Sequence, residues 1–234
     1  MQERGFAESR QRAKALIMSG KVLINHQPID KPGAQIGADV QIDLKGKDIP
    51  FVSRGGLKLE AAIKEFGLEI NNLICMDVGA STGGFTDCLL QNGANKVFAI
   101  DVGYGQLAWK LRQDKRVTVI ERTNIRYLEE KKIPVLIDLA TIDVSFISLK
   151  IVVPAVLKFL KNKGEILALI KPQFEVGKGK LGKNGVVKDS KLHKNVIHDL
   201  SLYFSKLGLQ SKAIVPSPVL GPKGNQEFII YLGT

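Results

Sequence analysis

The sequence of 234 residues is poor in cysteine and has no long uninterrupted apolar segment. Its two cysteines, Cys75 and Cys88, are too few for a scaffold built on disulfides, which favours a reducing compartment. The longest apolar stretch, residues 151–160, is interrupted by a proline and a lysine, whereas a membrane helix needs about 18–20 apolar residues. No basic segment followed by an apolar one stands at the start, so no secretory signal is expected. These absences predict a cytoplasmic protein without a membrane span.

Positive charge is concentrated in one part of the chain. Lys and Arg number 34 against 23 Asp and Glu, which gives a net charge of +11. Residues 150–194 carry eleven lysines and three acids, whereas residues 49–149 have no net charge. The local excess favours an anionic partner, with nucleic acid ahead of a membrane surface. A solvated, lysine-rich helix and loop is the alternative that charge alone leaves open.

The first 46 residues predict a small unit of one helix and short strands. Ser9 is typical of a helix N-cap, and apolar Ala13, Leu16 and Ile17 follow it at helical spacing. Short apolar segments at 22–24 and 40–44 predict strands. Such a unit is too small for a large core, and residues 47–54 are expected to link it to the rest.

From residue 55 onward, strand and helix patterns alternate, which predicts an α/β fold with a doubly wound, mostly parallel sheet. The strand candidates are 73–78, 96–100, 117–120, 135–142 and 166–170, and the helix candidates lie near 57–66, 84–91, 105–112, 149–161 and 189–207. The last two apolar segments, 210–215 and 227–232, are joined without a helix. They predict an antiparallel C-terminal hairpin at one edge of the sheet.

A glycine-rich turn, DVGASTGGFTD, follows the first strand of this sheet. Such turns bind nucleotides in α/β sheets. Because Gly79 and Gly83 are four residues apart and no Lys-Ser/Thr follows, the turn is neither a dinucleotide fingerprint nor a P-loop. The carboxylate of Asp77 suits a ligand with a cationic amino group, and Asp101 is placed to accept ribose hydroxyls. S-adenosylmethionine has both features. A turn whose glycines serve only tight packing is the alternative.

Several strings of the sequence resemble the TlyA family of ribosomal-RNA 2′-O-methyltransferases, often labelled hemolysins, and the wider FtsJ-type RNA ribose methyltransferases. The strings are SRGGLKLEAAIKEFG, MDVGASTGGFTD, AIDVGYGQLAWKLR, DVSFISL and ALIKPQFE. The N-terminal SRQRAKALIMSGKVLINHQPIDKPG resembles the S-four RNA-binding module. In that family the module begins with a further helical stretch, whereas here only residues 1–8 precede Ser9.

The resemblance implies a Rossmann-like, S-adenosylmethionine-dependent methyltransferase domain over residues 55–234 and an S-four-type module over residues 1–46. It implies a Lys-Asp-Lys-Glu catalytic set formed by Lys58, Asp143, Lys171 and Glu227. The expected cofactor-binding residues follow the first and second strands, with one more after the third: Asp77, Gly79, Ala80, Ser81, Thr82, Gly83, Gly84, Phe85, Asp101, Val102 and Asn124.

The reaction that this resemblance implies is in-line methyl transfer to the 2′-hydroxyl of a cytidine in ribosomal RNA. In that hypothesis Lys171 contacts the 2′-oxygen and either stabilises its developing negative charge or takes its proton. Lys58 and Asp143 orient that group and tune its charge, and Glu227 holds Lys58 or the ribose. Two other interpretations stay open: a membrane-active hemolysin, and a non-catalytic RNA-binding or ribosome assembly factor. The three histidines have no metal-ligand spacing, so no metal site is expected.

The expected RNA contacts are basic side chains in the N-terminal unit, before the first long helix and after the fifth strand of the sheet. They are Arg10, Arg12, Lys14, Lys21, Arg54, Lys178, Lys180, Lys183 and Lys188. Lysines give salt-dependent affinity for phosphates rather than base readout. The partner expected from these residues is structured ribosomal RNA or a ribosomal subunit, recognised largely by shape.

Overall fold

The computed structural model describes residues 1–7, 9–44, 49–177 and 185–233. The chain divides into two compact units, Met1–Pro50 and Phe51–Thr234. Within the described ranges, no helix combines the length and the apolar character that crossing a membrane requires.

The small unit packs one helix against a three-stranded antiparallel sheet with the strand order β2-β1-β3. Ser9 begins the helix by accepting a hydrogen bond from the backbone N–H of Arg12. The core is small and is built on the buried side chains Leu16, Val22 and Ile42. The elements are α1 (Arg10–Met18), β1 (Val22–Ile24), β2 (Gln27–Ile29) and β3 (Ile42–Leu44).

The large unit is built on a seven-stranded sheet with the order β6-β5-β4-β7-β8-β10-β9. Its strands are β4 (Ile74–Val78), β5 (Lys96–Ile100), β6 (Val117–Ile120), β7 (Ile137–Ile142), β8 (Leu160–Ile170), β9 (Gln210–Pro216) and β10 (Phe228–Gly233). The first five are parallel, and β10 runs antiparallel to both of its neighbours. The predicted α/β architecture with an antiparallel C-terminal hairpin is therefore confirmed.

Helices cover both faces of this sheet. Alternate residues of β4 belong to different apolar layers, since Met76 packs with α5 and α7 while Cys75 packs with α2 and α3. The two faces are both buried, which explains why the parallel strands read as near-continuous apolar runs. The helices are α2 (Gly55–Phe66), α3 (Gly84–Gln91), α4 (Trp109–Arg112), α5 (Leu149–Leu157), α6 (Pro172–Glu175) and α7 (Ser190–Lys206).

Three elements of the large unit have bounds that differ clearly from the sequence-based expectation, and the short strand β2 and the short helix α6 have no counterpart in it. The helix expected over 105–112 forms only over its last four residues, as α4. The residues before it form a loop in which Gly105 has a φ of +73°, and Asp101 and Glu121 accept the N–H groups of Gly103 and Gly105. The helix expected over 149–161 ends at Leu157, and β8 begins at Leu160 instead of Ile166. The first half of β8 is polar, and one of its lysines pairs at 2.6 Å with an aspartate of β7.

The last strand, β10, inserts between β8 and β9. Phe228 pairs with Ile170 in the antiparallel register. Lys171, which follows the carboxyl end of β8, and Glu227, which precedes β10, therefore lie at the same edge of the sheet. This is the edge at which open α/β sheets bind ligands.

A buried carboxylate supports the glycine-rich turn from below. Asp77, at 0% exposure, accepts hydrogen bonds from the backbone N–H and the hydroxyl of Thr86 at 2.9 and 2.6 Å, and from the hydroxyl of Thr141 at 3.4 Å. Burial raises the pKa of Asp77 from 3.8 to about 7; the hydrogen bonds from Thr86 oppose this shift and the nearby charge of Asp143 adds to it. Asp77 thus ties the end of β4 to the first turn of α3.

This titration predicts a specific pH dependence of stability. Between about pH 4 and about pH 7 the folded chain holds a proton on Asp77 that the unfolded chain releases, so the free energy of unfolding falls as the pH rises. The pKa difference corresponds to at most about 4 kcal/mol. Asp77→Asn keeps an acceptor for Thr86 and removes the titration. Denaturant unfolding of both proteins is measured across this range. As the pH rises from about 4 to about 7, the free energy of unfolding of the wild type is expected to fall relative to that of the variant. Parallel pH profiles of the two proteins would contradict the assignment.

Candidate active site

A cleft of about 330 Å³ opens at the carboxyl edge of the parallel strands in the large unit. Its walls come from distant parts of the chain: residues 53–55 and 58 at the start of α2, residues 79–82, 84 and 85 of the glycine turn, residues 143 and 145 after β7, residue 171 after β8, and residues 219–222 and 227 before β10.

The glycine turn forms the floor of the cleft through a close backbone approach. Gly79 has a φ of +87°, and a Cβ at this position would lie 2.5 Å from the carbonyl oxygen of Asp143. The backbone N–H of Asp143 in turn donates to the carbonyl of Val78 at 2.9 Å. Only glycine fits here without displacing the chain after β7. The end of β4 and the residue after β7 are therefore held together as one surface.

A buried ion pair closes one side of the cleft. The ammonium Nζ of Lys58 lies 2.6 Å from Oε2 of Glu227, and the two residues are 8% and 0% exposed. The other carboxylate oxygen, Oε1 of Glu227, is buried and accepts no hydrogen bond from the described residues. Lys58 comes from the first turns of α2, so the pair joins residues 169 positions apart in the chain.

A second ion pair lies at the ends of β7 and β8. Nζ of Lys171 lies 2.5 Å from Oδ1 of Asp143 and donates a hydrogen bond to the hydroxyl of Ser145 at 3.1 Å. The contact with Asp143 lacks hydrogen-bond geometry, so it is a charge contact. Lys171 is 8% exposed and lines the cleft. The sheet thus brings together all four residues of the catalytic set that the sequence analysis named.

The segment before α2 is fixed by contacts with α3 and with its own helix. The backbone N–H of Val52 donates to Oδ2 of Asp87 at 2.8 Å, and Lys110 also pairs with Asp87 at 3.0 Å. The ring of Phe51 covers Gly56 so closely that a Cβ there would overlap it. These contacts determine where α2 begins, and hence where Lys58 enters the cleft.

The expected cofactor residues divide between the cleft and its surroundings. Residues 79–82, 84 and 85 line the cleft, and Gly83 begins α3 with a φ of +96°. Asp77 lies beneath the turn and is fully buried. Asp101 lies beside the turn, where it accepts the N–H groups of Ser81 at 2.7 Å and Gly103 at 2.6 Å.

The remaining two expected cofactor residues are neighbours of Asp101 or of Thr123, whose backbone N–H donates to the carbonyl oxygen of Asp101 at 3.0 Å. Val102 follows Asp101 directly and is 70% exposed. Asn124 accepts the backbone N–H of Arg126 at 3.1 Å and so begins a short 3₁₀ turn after β6.

The expected RNA-binding residues are placed in both units. In the small unit Arg10 and Lys14 are exposed on α1, whereas Arg12 and Lys21 are half-buried. In the large unit Arg54 is exposed on the wall of the cleft, and Lys188 is exposed before α7. The other three, Lys178, Lys180 and Lys183, lie outside the described residues.

Sequence reasoning did not single out three parts of this site. Ser145 and Phe146 stand in the quoted string DVSFISL, but nothing in their spacing marks them as functional. Phe146 is 90% exposed, has a φ of +64°, and packs against Phe174 with ring centroids 5.0 Å apart. Residues 219–222 read as a Pro/Gly loop, and only the insertion of β10 brings them to the cleft.

The two cysteines of the chain, Cys75 and Cys88, are buried in the large unit. Burial raises the pKa of each thiol to about 12, with nearby carboxylates adding to the shift. Both thiols are therefore protonated at neutral pH and poor nucleophiles. Within the described ranges, no cluster of three or more His, Cys, Asp or Glu side chains is arranged to hold a metal ion.

The chain matches two family models. Residues 51–234 match the FtsJ-like methyltransferase model, and residues 1–42 match the S4 domain model. The chain is 44% identical over 232 residues to a 16S/23S rRNA (cytidine-2′-O)-methyltransferase of Mycobacterium tuberculosis, covering 99% of this chain and 87% of that protein. It is 39% identical over 231 residues to hemolysin A of Brachyspira hyodysenteriae, covering 97% and 95%.

Solved structures show the same fold. A Streptococcus thermophilus protein described as a candidate hemolysin is 45% identical, with a TM-score of 0.82 over 99% of this chain and 85% of that one. A Listeria monocytogenes protein described as a candidate S-adenosylmethionine-dependent methyltransferase is 16% identical, with a TM-score of 0.56 over 78% of this chain and 99% of that one. At 16% identity, the similarity to the Listeria monocytogenes protein shows the fold alone.

The buried pair of Lys58 and Glu227 predicts a large effect of removing one partner. Lys58→Met leaves the carboxylate of Glu227 buried without a counter-charge, which is expected to lower the free energy of unfolding by about 3–5 kcal/mol. Adding Glu227→Gln to that variant is expected to recover much of the loss. Denaturant unfolding measures both effects.

The matched control for this prediction is Lys64→Met, which changes an exposed lysine on the same helix and is expected to alter stability by less than about 0.5 kcal/mol. A loss for Lys58→Met no greater than that of the control would contradict the prediction.

Proposed function

The chain belongs to the FtsJ-like methyltransferase family, and from this premise we propose that it methylates a ribose 2′-hydroxyl of a cytidine in ribosomal RNA. The observation that carries the proposal is the meeting of two lysine–carboxylate pairs, Lys58–Glu227 and Lys171–Asp143, in one cleft beside the glycine turn. The related proteins with this activity in their names support the choice of ribosomal RNA and of cytidine.

S-adenosylmethionine fits the residues beside the pairs. Residues 79–82 of the glycine turn line the cleft, so a ligand in the cleft can contact the backbone of the turn. Each carboxylate oxygen of Asp101 accepts one backbone N–H and keeps a lone pair for a ribose hydroxyl. Val102 offers an exposed apolar side chain for the adenine. When bound, this cofactor supplies an electrophilic methyl group on a sulfonium.

Lys171 is the residue that we assign to the reacting oxygen. Its ammonium lines the cleft and is held by Asp143 and Ser145. A cation fixed in this way stabilises the negative charge that grows on the 2′-oxygen as its proton leaves to solvent. Fixing the oxygen in line with the methyl group removes much of the entropic cost of the encounter.

Lys58 and Glu227 have a positioning role in this proposal. Their pair joins α2 to β10 and so determines the width of the cleft. Oε1 of Glu227, which is buried and without a hydrogen-bond donor among the described residues, is available to accept a hydroxyl of the substrate ribose. Arg54, exposed on the same wall, adds a cation for the neighbouring phosphate.

Phe146 is suited to hold the target base. Its ring is almost fully exposed, is backed by Phe174, and stands one residue after Ser145 of the cleft wall. A left-handed backbone at a bulky residue is strained, and strain of this kind clusters at ligand-binding sites. Exposed aromatic rings stack on RNA bases that are unpaired and splayed out of the helix. The ribose and the base edges of such nucleotides are accessible to a protein.

The small unit belongs to the same proposal as an RNA-binding element. Residues 1–42 match the S4 domain model, and α1 presents Arg10 and Lys14 to solvent. We assign these cations to contacts with the phosphates of structured ribosomal RNA. Since ribosomal subunits are the substrate in this proposal, the cytoplasm is the proposed location.

The central test is methyl transfer by a Lys171→Ala variant. Wild-type protein incubated with ribosomal subunits and labelled S-adenosylmethionine is expected to methylate one or few cytidine 2′-hydroxyls, which nucleotide mapping identifies. Lys171→Ala is expected to lower kcat by about 10²–10³-fold, with cofactor binding retained in calorimetry. Lys163→Ala, on an exposed position of the same strand, is the matched control. Near-normal transfer by Lys171→Ala would refute the assigned role.

The role of Phe146 is tested separately. Phe146→Ala is expected to weaken productive RNA binding by about 5–150-fold, because stacking contributes about 1–3 kcal/mol per base. The loss appears in kcat/KM for ribosomal RNA, while cofactor affinity stays unchanged. Phe146→Tyr keeps the ring and is expected to remain near the wild type. Equal losses in both variants would show that stacking is not what Phe146 provides.

A further inference from the structure

Three lysines stand exposed where the chain enters α7. Lys188 precedes the helix, and Lys191 and Lys194 follow on its first two turns. Residues three apart on a helix lie on the same face, so Lys191 and Lys194 point in one direction. The three residues are called the basic stripe below.

Among the described residues, the basic stripe has no carboxylate partner, since none of its three lysines forms an ion pair there. The nearest acid in the chain, Asp189, is engaged as the N-cap of α7, where Oδ1 accepts the backbone N–H of Lys191 at 2.8 Å. The next acid on the helix, Asp199, is exposed more than one turn beyond Lys194.

A buried asparagine ties this segment to the rim of the cleft. Asn225 is 3% exposed. Its Oδ1 accepts the N–H of Val187 at 3.0 Å, and its Nδ2 donates to the carbonyl oxygens of Gly185 at 3.3 Å and Pro222 at 3.1 Å. Pro222 is part of the cleft wall. One side chain therefore fixes both the rim of the cleft and the residue before Lys188.

A histidine of α7 adds a second attachment to the same segment. Nε2 of His193 lies 2.9 Å from the carbonyl oxygen of Val187, and its ring packs edge-on against Phe228 at 5.4 Å. Phe228 is the first residue of β10, directly after Glu227. The start of α7 is thus held against the strand that follows a residue of the cleft.

From this arrangement we propose that the basic stripe binds the phosphate backbone of the RNA substrate next to the cleft, and that Asn225 is the positioning residue that holds it there. This inference rests on the proposed function for the identity of the polyanion. The rim at Pro222 is followed by the exposed Lys223, and Asn225 links this rim to the residue that precedes the basic stripe. An RNA whose target ribose enters the cleft can therefore extend past Pro222 along these cations.

The test compares two variants with equal loss of charge. In the first, K188Q, K191Q and K194Q are combined. In the second, K115Q, K163Q and K206Q are combined; these lysines are exposed, stand before β6, in the first half of β8 and at the far end of α7, and form no ion pair within the described ranges. Affinity for ribosomal RNA is measured at several salt concentrations.

Removing the basic stripe is expected to reduce the slope of log affinity against log salt by about 2 to 3, since each phosphate contact contributes about 0.7–0.9. The control is expected to keep the wild-type slope. KM for RNA rises in the first variant, while cofactor affinity and kcat at saturating RNA stay near the wild type. Equal slopes in the two variants would overturn the proposal.

Asn225→Ala tests the positioning role in a double-mutant cycle. It is expected to weaken RNA binding in the wild-type background and to add little when the basic stripe is already neutral. Equal losses in both backgrounds would overturn the role of Asn225. Failure of the wild-type protein to methylate ribosomal RNA would refute the proposed function instead, and that result is independent of the salt slopes.

Discussion

The structure of the large unit depends on one buried ion pair. Glu227 has no exposed surface and its charge needs a partner, which Lys58 supplies at 2.6 Å. A buried carboxylate without a counter-charge costs several kcal/mol, so α2 has to dock where β10 begins. Because the pair joins residues 169 positions apart, it also closes the cleft between the first and the last elements of this unit.

The second pair and the glycine turn follow from the same edge of the sheet. Lys171 follows β8 and Asp143 follows β7, so neighbouring parallel strands place a cation and an anion at one point. Gly79 lets the turn after β4 touch the backbone of Asp143, and Asp77 holds that turn from below through Thr86 and Thr141. The cofactor side and the proposed reacting side of the cleft are therefore built on three adjacent strand ends.

Much of the fold was predictable because its signals are local. Alternating apolar strands and amphipathic helices indicated the parallel sheet, and the missing helix between residues 215 and 227 indicated the antiparallel end. The boundaries of α4 and β8 were not predictable. Gly105 has a left-handed φ of +73° in a loop whose Gly103 and Gly105 N–H groups are accepted by Asp101 and Glu121. The polar start of β8 is held to β7 by the ion pair of Lys161 with Asp138. These are tertiary effects that residue periodicity does not record.

The features of the candidate site also divide into those that the sequence predicts and those that depend on the tertiary structure. By itself the sequence determined the glycine turn, the strand-end position of Asp143 and Lys171, and, through family resemblance, the membership of Lys58 and Glu227 in one set. Only the tertiary structure decided that Lys58 pairs with Glu227 and that Asp77 holds the glycine turn through Thr86. It also decided that Phe146, next to Ser145 of the cleft wall, is exposed, and that Asn225 joins the start of α7 to the cleft. The physical reason is that short-range patterns determine elements, whereas pairing of charges and hydrogen-bond partners depends on which elements the sheet order places side by side.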